Sequence, residues 1–261
     1  MNRIDKKFNQ LKNQGKKAFI AFITAGYPDL SITAKLVIEL EKKGVDIIEL
    51  GVPFSDPLAD GPTIQDASGY SLKQGINLVK ILGLVKQLRK HTSLPICLMT
   101  YYNPVFCFGE KKFVNQAVLA GVDGVIIPDL PYEEAREFSH YACQRGLDNI
   151  CFVSPTSSAT RIRAILKVAR GFIYYVSLTG VTGSRSHLAV DLKTKLSLIK
   201  KLTTKPVCVG FGISSAQQVK AVRKISDGVI VGSAIVAKIK QNLGNRNLVQ
   251  RVGSFVGKLN V

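Results

Sequence analysis

The stretch Asp46-Ile47-Ile48-Glu49-Leu50-Gly51-Val52-Pro53-Phe54-Ser55-Asp56-Pro57-Leu58-Ala59-Asp60-Gly61-Pro62 sets a strand-sized apolar run against a loop dense in proline, glycine and aspartate. Ile47 to Leu50 lies between the helix-stop Gly44 and the breaker Gly51-Val52-Pro53, which marks a buried strand. An ionised carboxylate inside such a strand costs several kcal/mol unless it is paired or sits at a mouth. Glu49 is near the C-terminal end, where a mouth is available. Pro53, Pro57 and Pro62 stiffen the loop that follows, so it can hold Asp60 towards the same cavity. Two carboxylates in differently solvated surroundings are a common way of dividing acid and base roles. The spacing alone leaves open a plainer reading, in which Glu49 caps neighbouring backbone and Asp60 serves the turn before Gly61.

Outward from this stretch, strands and helices alternate. Ala18–Thr24 is a first strand, and Leu30–Lys43 has helical periodicity ending at Gly44. After the quoted loop come two helical pieces, 64–74 and 77–91. Further strands are expected at 95–100, 124–127, 149–153, 172–177, 206–209 and 228–231, with helices at 111–120, 133–145, 159–170, 192–202 and 216–224 and a last helical region after Gly232-Ser233. Tyr101-Tyr102-Asn103-Pro104 is read as loop. Strict alternation requires right-handed crossovers and parallel strands. Eight such units in a chain of 261 residues predict a single α/β domain spanning 1–261, a closed (β/α)8 TIM barrel with an open doubly wound sheet as runner-up. The amphipathic segment Met1–Phe8 adds an extra N-terminal helix. A Gly or Ser, then Asp, then an apolar run recurs at Gly44/Asp46, Gly121/Asp123 and Ser226/Asp227. The last two aspartates are 104 residues apart over four units, whereas Asp46 and Asp123 are 77 apart over only two. The second unit therefore carries an inserted loop and helix, where Glu49 and Asp60 lie.

Composition narrows the function. Apolar residues make up 46% of the chain, and the longest apolar stretches are strand-sized, so no membrane span is expected. The N-terminus lacks the apolar core of a signal peptide, which makes the cytoplasm the expected compartment. The five cysteines have no paired spacing and the three histidines no second ligand at metal spacing, so neither disulfides nor a metal site is expected. The net charge of +18 comes from lysines and arginines spread over helix faces without an aromatic-basic motif. A basic surface that attracts an anionic substrate fits this better than nucleic-acid binding.

In a barrel of this kind the site gathers at the C-terminal strand ends, with phosphate held by the loops after the seventh and eighth strands. Those loops are Gly210-Phe211-Gly212-Ile213-Ser214 and Gly232-Ser233, joined by Gly180 and Gly183 after the sixth. Glycines admit backbone N–H groups to an anion, and a helix N-terminus favours negative charge. A phosphorylated substrate is the expectation, against glycines that serve only tight turns. Gly210-Phe211-Gly212 lacks the third glycine and the acidic residue of a dinucleotide site. No cofactor motif is present. Tyr101, Tyr102, Tyr174 and Tyr175 end two strands, where they bond substrate or pack at the rim. Phe22, Ile64, Ile127 and Phe211 would wall a flat ring.

The phrase E-L-G-V-P-F-S-D-P-L-A-D-G-P at 49–62, followed in order by Y-Y-N-P (101–104), P-D-L-P (128–131), G-V-T-G (180–183), G-F-G-I (210–213) and G-S-A (232–234), closely resembles the tryptophan synthase alpha subunit family across nearly the whole chain. The resemblance implies a lyase of tryptophan biosynthesis that cleaves indole-3-glycerol phosphate to indole and D-glyceraldehyde 3-phosphate. It maps the family's catalytic pair onto Glu49, a proton shuttle, and Asp60, which accepts the indole N–H. It matches Tyr174 to the family tyrosine beside the catalytic Glu, Thr182 to the threonine that bonds the aspartate under a closing lid, and Gly183, Phe211, Gly212, Gly232 and Ser233 to the phosphate-binding positions; Phe22, Ile64 and Tyr101 complete the expected substrate-binding set. Leu178 stands where some members carry arginine. The resemblance also implies no cofactor in this chain and a partner beta subunit holding pyridoxal phosphate in an αββα tetramer. The contact segments would be 53–56, 103–106 and 129–131. A subunit retained only to activate beta, or a lyase releasing free indole, would share these motifs; the first should show damage at Glu49, Asp60 or the lid, and neither carboxylate is changed.

Overall fold

The computed structural model describes residues 2–176, 187–210 and 212–260, the side chains of 187–191 excepted. Eight parallel strands close into a barrel in chain order: β1 (Ala18–Thr24), β2 (Ile47–Gly51), β3 (Ile96–Met99), β4 (Gly124–Ile126), β5 (Asp148–Val153), β6 (Ile173–Val176), β7 (Val207–Gly210) and β8 (Gly228–Val231). The ring is sealed between its ends by Ala18 opposite Gly228 through Ala21 opposite Val231. This is the TIM barrel, and the open sheet is excluded.

Around it run α1 (Arg3–Asn13), α2 (Leu30–Lys42), α3 (Pro62–Lys73), α4 (Leu78–Leu88), α5 (Tyr102–Phe108), α6 (Glu110–Ala120), α7 (Arg136–Gln144), α8 (Ala159–Val168), α9 (His187–Leu202), α10 (Ala216–Arg223), α11 (Ser233–Lys240) and α12 (Leu248–Leu259). The inserted element after β2 is α3, which starts with Pro62 in its first turn. There a missing N–H leaves no bond unmade. The same physics explains the one helix unforeseen in the sequence. In α5, Pro104 falls in the first turn, so a motif that resembles a loop is helical. The helix expected over 133–145 begins only at Arg136, and the last helical region divides into α11 and α12. Among the described residues, no helix is long and apolar enough to cross a membrane.

Two apolar layers result from the alternation of strand side chains. One lies between strands and helices; the other fills the barrel's lower interior, where Ile20, Ile47, Ile126, Ile150, Phe172 and Ile230 meet Ile4, Phe8 and Leu11 of α1. The N-terminal helix is thus a stopper in the bottom of the barrel. Gly124 is part of this fit, since a methyl group there would lie 2.7 Å from Ile150 and 3.0 Å from Ile4. The stopper is anchored by Asn2, whose side chain caps α1 and donates to the Asp123 carbonyl at 3.0 Å and to Asp148 Oδ2 at 2.6 Å.

The recurring aspartates have a common job at this end. Each directly precedes an even-numbered strand and accepts the N–H of a residue at the start of the strand before it. Asp46 takes Phe19 N at 2.9 Å, Asp123 takes Ile96 N at 2.9 Å and Asp227 takes Val207 N at 3.1 Å. Before β6 the equivalent position is Phe172, which is why the echo has three members. Asp123 is 2% exposed and also binds Arg89 at 2.7 Å and Arg3 at 2.9 Å. Asp123→Ala would strand the Arg89 guanidinium and the Ile96 N–H together. The expected loss is about 3–5 kcal/mol of unfolding free energy in a urea titration, since a buried charge is left without its partner.

Candidate active site

At the C-terminal ends of the strands lies a cavity of about 400 Å³. Phe22 of β1, Glu49 of β2, Tyr174 of β6 and Ile230 of β8 form its walls and floor. Asp60, Ile64, Gly212, Gly232 and Ser233 enclose it from the loops and helix starts. Of the residues that the family resemblance and the aromatic wall placed around the substrate, Phe22, Glu49, Asp60, Ile64, Tyr174, Gly212, Gly232 and Ser233 line this space, while Tyr101 and Ile127 do not. Thr182, Gly183 and Phe211 lie outside the described residues.

Glu49 is 0% exposed and sits in register between Phe22 on β1 and Cys97 on β3. Neither of its carboxyl oxygens has a hydrogen-bond partner among the described residues. Burial without a counter-charge penalises the anion, and the carboxyl is pushed up to about 8. It is therefore protonated at neutral pH.

Asp60 reaches the cavity from a loop that folds on itself. Asp60 N bonds the Pro57 carbonyl at 3.0 Å, and the Gln65 side chain bonds the Asp60 carbonyl at 2.9 Å. Burial pushes this carboxyl up to about 6, while the Tyr101 hydroxyl, donating to Asp60 Oδ2 at 3.1 Å, holds it down. The same hydroxyl accepts Ala59 N at 2.9 Å. Tyr101 thus stands behind Asp60 and fixes its loop, with its ring stacked on Phe54 at 5.2 Å. At pH 7 the cavity holds one neutral and one ionised carboxyl.

Two glycines make room for the aromatic wall. A Cβ at Gly51 would lie 2.5 Å from Phe22, and one at Gly210 would lie 2.5 Å from the Tyr174 hydroxyl. Gly210 was expected to admit an anion; its position serves Tyr174. The Tyr174 ring rests on Phe152 with centroids 4.7 Å apart, and burial together with the nearby Glu49 and Asp60 raises its phenol well above the ordinary range. It stays a neutral donor. Gly232 caps α11, and the first bonds of that helix, to the Gly232 carbonyl, come from Ile235 N at 2.8 Å and Val236 N at 3.1 Å. The N–H groups of Ser233 and Ala234 are thereby left for a ligand. No lysine or arginine is among the described residues lining the cavity. Nor does any group of three His, Cys, Asp or Glu among the described residues form a metal site.

Met99, Phe152, Val176 and Ile230 also line the cavity and were not foreseen. The signal was present in the period-two rule. Met99 and Phe152 follow the inward-facing Cys97 and Ile150 by two residues, and Val176 follows Tyr174 likewise. Ile127, expected in the wall, is a buried residue packed with the outer layer, while its neighbour Pro128 lines the cavity.

Comparison with known proteins agrees with this geometry. A family model described as tryptophan synthase alpha chain matches residues 8–261. The tryptophan synthase alpha chain of Geotalea uraniireducens is 51% identical over 259 residues, covering 99% of this chain and 97% of its own. The crystal structure of tryptophan synthase subunit alpha from Legionella pneumophila superposes with a TM-score of 0.93 at 38% identity, covering 100% of this chain and 97% of that one. A chain of the tryptophan synthase complex from Pyrococcus furiosus gives 0.84 at 35% identity, covering 93% and 97%. With its full length matched, its barrel shared and both carboxyls in one cavity, this chain belongs to the tryptophan synthase alpha chain family.

Proposed function

We infer that the chain is the lyase of its family, cleaving indole-3-glycerol phosphate to indole and D-glyceraldehyde 3-phosphate for tryptophan biosynthesis, with Glu49 and Asp60 as its catalytic pair. The observation that carries the assignment of roles is the contrast between a buried, protonated Glu49 and an ionised Asp60 in one cavity. In the retro-aldol step, Glu49 delivers its proton to C3 of the indole ring, and Asp60 accepts a hydrogen bond from the ring N–H as positive charge develops there. The resulting Glu49 carboxylate takes the proton of the side-chain hydroxyl as the carbon–carbon bond breaks and its electrons return to the ring. One proton is given and one recovered, so the enzyme ends as it began. Phe22 and Ile64 would flank the flat ring, and Tyr174 would donate from the wall.

The phosphate would sit at Gly212, Gly232 and the start of α11, held by backbone N–H groups and the Ser233 hydroxyl. With no cation among the described lining residues, the basic surface contributes long-range attraction only. The chain acts as one domain without a cofactor of its own. Its partner is a beta subunit carrying pyridoxal phosphate in an αββα tetramer, docked at segments 53–56, 103–106 and 129–131. Phe54 on the first of these touches Tyr101 and hence Asp60, which supports coupling between docking and chemistry. The compartment is the cytoplasm.

The direct test is indole release from indole-3-glycerol phosphate by the purified chain, with and without a beta subunit; beta should accelerate it, and no release in either condition would reject the lyase reading. The pH profile of kcat/KM should be bell-shaped, rising through about 6 as Asp60 ionises and falling through about 8 as Glu49 loses its proton. A flat profile over that range would remove both roles. Glu49→Gln should bind substrate yet lose about 10³-fold or more in cleavage. It should also stabilise the fold. The unfolded chain releases the Glu49 proton near 4.5 and the native one near 8, so native stability falls between those values, and the amide's gain in Tm should grow with pH across that window. Tyr101→Phe removes the donor that steadies the Asp60 anion, and a carbon-13 titration should find that carboxyl about one unit higher. An unmoved titration would show that the 3.1 Å contact does not act on Asp60.

A further inference from the structure

Part of the net charge of +18 is matched internally: Arg3, Lys17, Arg89, Arg161 and Lys200 each lie within 4.0 Å of a carboxylate. In the groove between α7 and α8 the cations form no ion pair within 4.0 Å among the described residues, and Arg170 has only the longer-range charge of Asp148. Arg136 and His140 of α7, Lys167 of α8 and Arg170 just beyond it line a cavity of about 340 Å³ together with Ser139 and Cys143. No aspartate or glutamate is among the described lining residues, and none of the two arginines and the lysine has a carboxylate within 4.0 Å among the described residues. Of the acids that flank Arg136 in sequence, Glu133 is taken by Arg161 at 2.7 Å, and neither Glu134 nor Glu137 lines the groove.

The groove is built as well as charged. Arg170 Nη1 donates to the Lys167 and Ala169 carbonyls at 3.3 and 2.9 Å, which fixes the guanidinium. Ser139 is 5% exposed and accepts Asn149 Nδ2 at 2.7 Å, so its own O–H still has a proton to give. Positive charge is crowded here: burial and then the charge of Arg170 hold the neighbouring Lys205 ammonium below its ordinary range. Crowding of like charges with no carboxylate in contact costs free energy that a bound anion relieves. None of the residues lining this groove lines the catalytic cavity.

We propose that the α7–α8 groove is a second anion site, taking the phosphate or diphosphate of a small phosphorylated molecule on Arg136, Lys167 and Arg170, with Ser139 donating from the floor. A bounded concavity of this volume matches a small ligand. A nucleic acid would call for a longer basic track with stacking aromatics.

Cys143 is an exposed thiol inside the groove and reports occupancy locally. In a Cys107→Ser background, which removes the other exposed thiol, the rate of Cys143 alkylation by neutral iodoacetamide is followed by peptide mass spectrometry. Pyrophosphate at about 0.1 M salt should slow it at least fivefold, as roughly expected for charge-assisted contacts, with a half-point near or below about 1 mM. The double substitution Arg136→Ala, Lys167→Ala should abolish that protection, and the milder Lys167→Arg should keep it. Absence of protection, or equal protection in the double variant, would overturn the site. Protection by heparin or DNA but not by pyrophosphate would overturn the small-molecule assignment in favour of a polyanion.

Discussion

The cost of burying a carboxyl without a partner governs this cavity. Glu49 has no water-facing surface and no bond to either oxygen among the described residues. At neutral pH such a group rests as the neutral acid. That state is also the one able to protonate carbon at neutral pH. Asp60 has the opposite setting: a surface loop stiffened by prolines, a tyrosine hydroxyl, and enough solvent to ionise. The different burial of a strand and a loop is sufficient to separate the two carboxyls.

A scaffold that carries so unfavourable a side chain must be well held elsewhere, and the opposite end of the barrel is. There Asp46, Asp123 and Asp227 each tie the start of one strand to the strand that follows it in the ring, and α1 fills the space beneath the barrel. These carboxylates have N–H and cationic partners where Glu49 has none. The two ends follow opposite electrostatic rules: carboxyls paired with N–H groups and cations at the bottom, and at the top a buried Glu49 with no partner among the described residues.

Much of this was legible in one dimension. The strand bearing Glu49 and the insertion bearing Asp60 follow from an apolar run, its breakers and an irregular spacing of aspartates. The eight strands follow from short apolar runs set between glycine and proline breakers and alternating with longer helical segments. What remained hidden depends on contacts remote in sequence. Tyr101 and Asp60 are 41 residues apart, and nothing in either neighbourhood signals their bond. The role of Gly210 depends on a tyrosine one strand away. Likewise, α5 was concealed because Pro104 is a helix breaker everywhere except in the first turn, and only the folded chain shows which turn it occupies. Conversely, Met99 and Phe152 were within reach of simple counting along their strands.

The stopper formed by α1 has a consequence for traffic. With Ile4, Phe8 and Leu11 packed into the lower interior, the catalytic chamber is a blind well. Substrate, both products and any water must pass through the same upper rim. Departure of an apolar product such as indole therefore competes with arrival of the next charged substrate for one doorway. A receiving surface of another chain at that rim would give the apolar product a path away from bulk solvent and the charged one none, turning a shared doorway into two exits sorted by polarity.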